Sequence, residues 1–219
     1  RYNNNMATQR KQPASGGMAP KKAKETAKPV RLYDIGIEWM HSPVKVSRVI
    51  TIPSDVKLEV FASIIQHVMG WGGGHLDAFN KNGIEYTDAQ SVAYSRGYGD
   101  RSSVDYQNVS LDELLTRKGS NVVYVYDFGD SWQHKVSLHS YRDLGADEKR
   151  QCKVLKGEGA CPPDDVGGVW GYADMLHVLA NPDEDHEQYE EYIDWLGDDF
   201  DPNHYDIDRI NKALQIMRI

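Results

Sequence analysis

Apolar residues along this 219-residue chain follow two rhythms, and the changes between them divide it into elements. Leu32, Ile35, Ile37 and Trp39 alternate loosely with polar neighbours. Ser42-Pro43 interrupts them, and Val44, Val46, Val49, Ile50 and Ile52 carry the rhythm on to Pro53. A period near two on both sides of a turn predicts a β-hairpin. The period then lengthens: Val60, Ile64 and Val68 fall at i, i+4 and i+8, with Phe61 and Ile65 widening the stripe. A helix is expected, capped by Ser54 or Asp55 and stopped by Gly70. His75–Phe79 reads as a short strand with Asn82-Gly83 as its turn. Residues 86–107 are polar and read as a loop. Ser110 with Glu113 three residues on forms a capping box that opens a short helix.

Val122–Val125 and Val136–Leu138 are β-branched, alternating runs on either side of Asp127-Phe128-Gly129-Asp130-Ser131, so two antiparallel strands joined by a turn are expected there. The apolar pattern lapses after Tyr141 until Cys152. In Pro162-Pro163-Asp164-Asp165-Val166-Gly167-Gly168 the prolines remove backbone donors and the glycines permit positive φ, which predicts a shaped loop. Three amphipathic helices follow. One carries Tyr172, Met175, Leu176, Val178 and Leu179; one runs from Asp183 with Tyr189, Tyr192, Ile193 and Leu196 inward; the last is capped by Asp208 and carries Ile210, Leu214 and Met217. The order of elements gives an α+β class: a β-grasp-like mixed sheet with a packed helix, plus C-terminal helices.

Charge changes this picture at both ends. Residues 1–29 hold seven Lys/Arg against Glu25 and few apolar residues, so they are expected to be a disordered basic tail ahead of one domain over residues 30–219. The whole chain carries −8, so residues 30–219 carry −14, and from Gly157 to Asp208 there is no Lys or Arg among sixteen acids. Phosphate backbones are bound through Lys and Arg. Nucleic acid is therefore expected to bind through the tail if at all, and the partner of the domain to be a protein or a small molecule. No apolar run approaches a membrane span and no apolar leader opens the chain, so no membrane is expected and the expected location is cytoplasmic.

The central turn packs Asp127, Asp130, Ser131, Trp132 and His134 into eight residues, and the later loop offers Pro162, Pro163, Asp164, Asp165, Gly167, Gly168 and Tyr172. The cleft between them is the expected binding surface. Asp in a glycine turn ordinarily accepts backbone N–H bonds and fixes the turn. The chemical alternative is a hydrolase or metal-dependent enzyme in which Asp130 and His134 meet Asp165. Asp127-Phe128-Gly129 lacks the preceding His-Arg-Asp of a kinase, and Gly72-Gly73-Gly74 lacks the Gly-Lys-Ser/Thr of a phosphate loop. No cofactor is required, and a divalent metal is left open. Cys152 and Cys161 are too far apart for a zinc knuckle, although His75, His134 and His186 are ligand candidates beside them. Asp199, Asp201 and Asn203 start like a calcium loop, but His204 takes the place of its glycine and Ile210 that of its bidentate Glu.

Three blocks carry a family pattern: Gly70-Trp71 with His75–Phe79; Tyr124–His134; and Pro162–Tyr172, with Trp195-Leu196-Gly197 and Phe200-Asp201-Pro202 beyond. Over about residues 30–215 the chain resembles the plasmid pRiA4b ORF-3-like family. Arg48 follows Val46-Ser47 where a Trp-Arg pair is usual, and Asp164 stands for a usual Glu. The resemblance implies an α+β fold with a β-grasp-like sheet; it assigns no catalytic residues. Members are often labelled TnpR-type resolvases or mobile-element passenger proteins, which implies a binding or interaction module linked to mobile elements or a DNA-recombination accessory factor. A serine recombinase needs several Arg around its nucleophile. Ser131 has no Arg near it in sequence, and no basic recognition helix follows.

Overall fold

The computed structural model describes residues 29–197 and 200–219. The expected disordered tail, residues 1–29, lies outside the described residues except for Pro29, as does Asp199 of the calcium-like stretch. Strand β1 (Arg31–Trp39) and β2 (Ser47–Pro53) form the expected hairpin. Helix α1 (Leu58–Met69) buries Leu58, Phe61, Ala62, Ile64, Ile65, Val68 and Met69, and Gly70 ends it with φ 118°. It starts later than expected. Lys57 is its N-cap, because the Ser54 hydroxyl instead accepts from the Arg31 N–H (3.1 Å) and Asp55 pairs with Arg150. Strand β3 (Asp77–Lys81) turns through Asn82-Gly83 into β4 (Ile84–Thr87).

The polar stretch expected as a loop is instead helix α2 (Ala89–Gly97), capped by Asp88, and strand β5 (Ser103–Asp105). The short helix α3 (Leu111–Leu114) opens on the Ser110–Glu113 capping box. Strands β6 (Asn121–Tyr126) and β7 (Trp132–Asp143) are the expected central pair. Strand β8 (Lys153–Glu158), with no forecast in the apolar pattern, pairs with β2. Helix α4 (Gly168–Ala180) follows the shaped loop. Helices α5 (His186–Leu196) and α6 (Ile207–Leu214) begin at Asp185 and Asp206 rather than Asp183 and Asp208, since those side chains accept from Gln188 N and Arg209 N. The inward residues of α5 are only partly buried.

The eight strands form one sheet in the order β5-β4-β3-β6-β7-β1-β2-β8, antiparallel except for β4–β5. The α+β class holds; with eight strands the β-grasp label fits loosely. In β7 the alternation is strict: Trp132, His134, Val136 and Leu138 are buried, while Lys135 and His139 face outward. The buried face meets α1 in one core that includes Ile35, Ile37, Phe61, Phe79, Tyr124, Tyr126 and Tyr172. Arg48 is 1% exposed. Its guanidinium donates to the carbonyls of Ser47, Val68 and Glu158 and lies 3.5 Å from the centre of the Tyr205 ring. These contacts tie β2, the end of α1, β8 and the segment before α6 together. No described helix is long and apolar enough to cross a membrane.

Candidate functional site

The β6–β7 connection is held by its own polar groups. Asp127 and Ser131 sit at φ 55° and 56°, Ser131 N–H donates to the Asp127 carbonyl (2.6 Å), and Asp127 Oδ1 accepts from Gly129 N–H (2.8 Å). Asp and Ser tolerate such backbone when a local bond offsets the strain. The Pro162–Gly168 loop is pinned at both ends. The Trp71 indole N–H donates to the Pro162 carbonyl at 3.0 Å, and Gly167 N–H donates to Asp130 Oδ2 at 3.2 Å. Gly168, at φ 69°, passes so close that a Cβ there would stand 2.8 Å from the Asp130 carbonyl oxygen. Asp165 also adopts positive φ, 63°.

Turn and loop together with the β1–β2 connection enclose an open cleft of about 830 Å³. Asp130, Ser131 and Gln133 line one side, Gly167, Gly168, Val169 and Ala173 another, and Met40, His41 and Pro43 close it. Trp170, on the first turn of α4, lines the cleft and is 86% exposed. Among the described residues, no Lys or Arg lines this cleft.

The far side of the same junction holds a second arrangement. β3 pairs with β6 so that Asp77 faces Tyr126, and Asp127 N–H donates to the Leu76 carbonyl (2.9 Å). That register sets His75 beside the turn. Its Nδ1 is 3.4 Å from Asp127 Oδ2 and its Nε2 is 3.7 Å from Asp165 Oδ1. Among the described residues this is the one group of three His, Cys, Asp or Glu with metal-ligand proximity. Burial raises the Asp164 carboxyl, and burial followed by the charge of Asp164 raises the Tyr126 hydroxyl. The Tyr126 hydroxyl and the Asp164 carboxyl interact with each other beneath the loop, and the Gly72 backbone also faces Asp164.

Of the residues singled out in the sequence, Asp127, Asp130, Ser131, Asp164, Asp165, Gly167 and Gly168 meet at this junction. Pro162 and Pro163 shape its edge. Trp132 and Tyr172 lie in the core beneath, with Trp39 between them at ring distances of 5.2 and 5.4 Å. His134 does not join Asp130 and Asp165. It is fully buried, edge-on to Trp71 at 5.3 Å, and burial pushes its imidazole down to about 3. A neutral, enclosed imidazole cannot exchange protons with a substrate near neutral pH. That corrects the Asp130–His134–Asp165 enzyme cluster. Cys152 and Cys161 belong to no ligand group among the described residues, and burial raises both thiols, Cys152 to about 12. His186 is on the surface beside Glu190. Trp170 and the β1–β2 residues were missed. Trp170 does fall outside the buried stripe of α4, a signal that could have been read. Nothing local in the sequence marks Met40 or His41.

The family model described as plasmid pRiA4b ORF-3-like protein matches residues 31–209. The chain belongs to this family. This pRiA4b ORF-3-like protein is 31% identical over 174 residues to the uncharacterized protein y4hQ of Sinorhizobium fredii, covering 78% of the chain and 84% of that protein. A crystal structure of MM3350 from Methanosarcina mazei Go1, described as a protein of unknown function, is similar with a TM-score of 0.67 at 30% identity. The match covers 82% of this chain and 96% of that one. The family assignment thus takes in both blocks that build the junction, and the names of these relatives bring no activity with them.

Proposed function

We propose that this pRiA4b ORF-3-like domain is a non-enzymatic binding module that seats a protein segment in the cleft between the β6–β7 turn and the loop before α4. The observation that carries this reading is Trp170. An indole 86% exposed at the rim of a cleft loses water contact when a partner covers it, and such aromatic anchors dominate binding energies. The two walls are cross-tied through Asp130 and Gly167, so the seat is preformed and little ordering cost falls on binding. The acidic run from Gly157 to Asp208 favours a partner with basic groups around an apolar anchor.

The resolvase label carried by family members draws no support from this cleft, where no Lys or Arg among the described residues lines the wall beside Ser131. A link to mobile elements would run through the partner.

The test is affinity capture with the full chain, followed by calorimetry on the purified partner. Trp170→Ala is expected to weaken that complex by roughly tenfold or more, while Trp195→Ala, half-exposed on α5, leaves it unchanged. Equal binding by wild type and Trp170→Ala would sink the proposal. Salt-sensitive binding of duplex DNA by the full chain, abolished by changes in the cleft, would transfer the reading to a recombination accessory factor.

A further inference from the structure

We infer that His75, Asp127 and Asp165 form a divalent transition-metal site that clamps β3, the β6–β7 turn and the loop before α4 together. This goes beyond the cleft and is independent of it.

The geometry comes first. One ligand atom from each residue lies within 4.8 Å of the other two, with His75 Nδ1 3.4 Å from Asp127 and Nε2 3.7 Å from Asp165. Zinc bonds to nitrogen and oxygen are about 2.0–2.2 Å, which sets tetrahedral ligand edges of roughly 3.3–3.6 Å. The two carboxylates face different ring nitrogens, and a metal takes only one of them, so the mostly exposed Asp165 side chain has to swing round to the nitrogen that Asp127 faces. The three residues come from three separate segments, and β-sheet register rather than chain proximity brings His75 in.

A second observation points to the same place from the buried side. Tyr126 is 0% exposed and its ring stands edge-on to His75 at 5.7 Å. Its hydroxyl interacts with the Asp164 carboxyl and lies in the field of Asp127. Asp164, partly buried, faces His75 as well as Tyr126 and so links the buried hydroxyl to the imidazole. Charge is also unbalanced. Asp127, Asp164 and Asp165 face one imidazole, and among the described residues no Lys or Arg forms an ion pair with any of them. A divalent cation offsets that charge, and Asp164 with Tyr126 then supplies outer support to the ligands. One imidazole with carboxylates suits Zn²⁺ or Mn²⁺ better than Mg²⁺ or Ca²⁺, which take oxygen alone.

The test uses the full chain stripped with a chelator and titrated with Co²⁺ by visible absorption, then with Zn²⁺ and Mg²⁺ by calorimetry. Saturable one-to-one Co²⁺ and Zn²⁺ binding is expected. Asp127→Asn and Asp165→Asn should each weaken it by about tenfold or more. Both variants are expected to fold, because Asn accepts positive φ as readily as Asp and keeps the Oδ1 acceptor for Gly129 N–H. Equal urea midpoints would confirm that. His186→Gln, which removes the surface His–Glu pair on α5, should change nothing. No saturable Co²⁺ or Zn²⁺ binding, full affinity in Asp165→Asn, or tighter Mg²⁺ than Zn²⁺ binding would each overturn the assignment.

Discussion

Gly171 gives a test in which two ordinary effects oppose each other and the structure decides the sign. It lies in the first turns of α4 with unremarkable φ, so intrinsic propensity says that Gly171→Ala should stabilise the helix by about 1 kcal/mol. A Cβ at this position, however, would stand 1.9 Å from the Val166 carbonyl oxygen, where ordinary contacts are 3.4 Å or more. The loop would have to retreat by about 1.5 Å to restore van der Waals separation. The obstacle is backbone, not a side-chain tip, and the loop is tied on both sides by Trp71–Pro162 and Asp130–Gly167. Overpacking of this kind costs about 1–3 kcal/mol, and the two ties put it near the top of that range. The clash therefore wins, with a net loss of roughly 1–2 kcal/mol. Equilibrium urea unfolding of the full chain, followed by tryptophan fluorescence, reads this as a lower midpoint at unchanged slope. Gly97→Ala is the control: a methyl group there would meet nothing within 4 Å, so the change should be neutral or slightly stabilising. If both variants gain stability, the loop is not held against α4 by these ties, and the rigidity of the cleft goes with it.

Two further predictions concern the core beneath the junction. Arg48→Met should cost about 3 kcal/mol in the same assay, because the carbonyls of Val68 and Glu158 lose charged donors and the Tyr205 ring loses its cation; a loss under about 1 kcal/mol would show that they re-pair freely. His134 titrates at about 3 when folded, against an ordinary value near 6.5, so the unfolded chain binds more protons in this window and stability falls as pH drops from about 6.5 towards 3. Asp77, raised by burial to about 6, works in the opposite direction, so the clean readout is wild type against His134→Phe. Relative to that variant, wild type should lose about 2 kcal/mol between about pH 7.5 and pH 5, and a flat difference would place His134 in contact with solvent.

The parts of the fold that were legible in the sequence are those where burial alternates without interruption. Trp132, His134, Val136 and Leu138 repeat at period two, and their strand appears where expected. The same arithmetic already places His134 on the core face with Trp132. Proximity in sequence to Asp127 and Asp130 made it look chemical; periodicity made it structural, and periodicity prevails. Strand β8 was hidden because it buries Val154 alone among apolar residues and leaves Leu155 half in water. Helix α2 buries only Val92, so a polar stretch gave no 3.6-residue stripe to read. Strand β8 is held instead by its neighbours: it pairs with β2, and the Asn211 side chain bonds both the N–H and the carbonyl of Val154.

The junction itself was half legible for a different reason. Densely polar turns announce themselves, and the β6–β7 turn and the loop before α4 were both visible as such. His75 was not visible as their partner, because its position follows from the β3–β6 register, and pairing register across about fifty residues leaves no local mark. Once it is placed, the choice between a structural and a chemical Asp127 dissolves. Its Oδ1 accepts the Gly129 N–H and fixes the turn, while its Oδ2 faces His75 at 3.4 Å. The bond to the turn holds the carboxylate in one orientation, so the second oxygen is presented to the imidazole without the rotamer entropy a free aspartate would have to give up. Asp130 works in the same way towards the other side: by accepting from Gly167 N–H it sets the width of the cleft that Trp170 overhangs. The motif that fixes the turn is thus also what aims one carboxylate at each face of the junction.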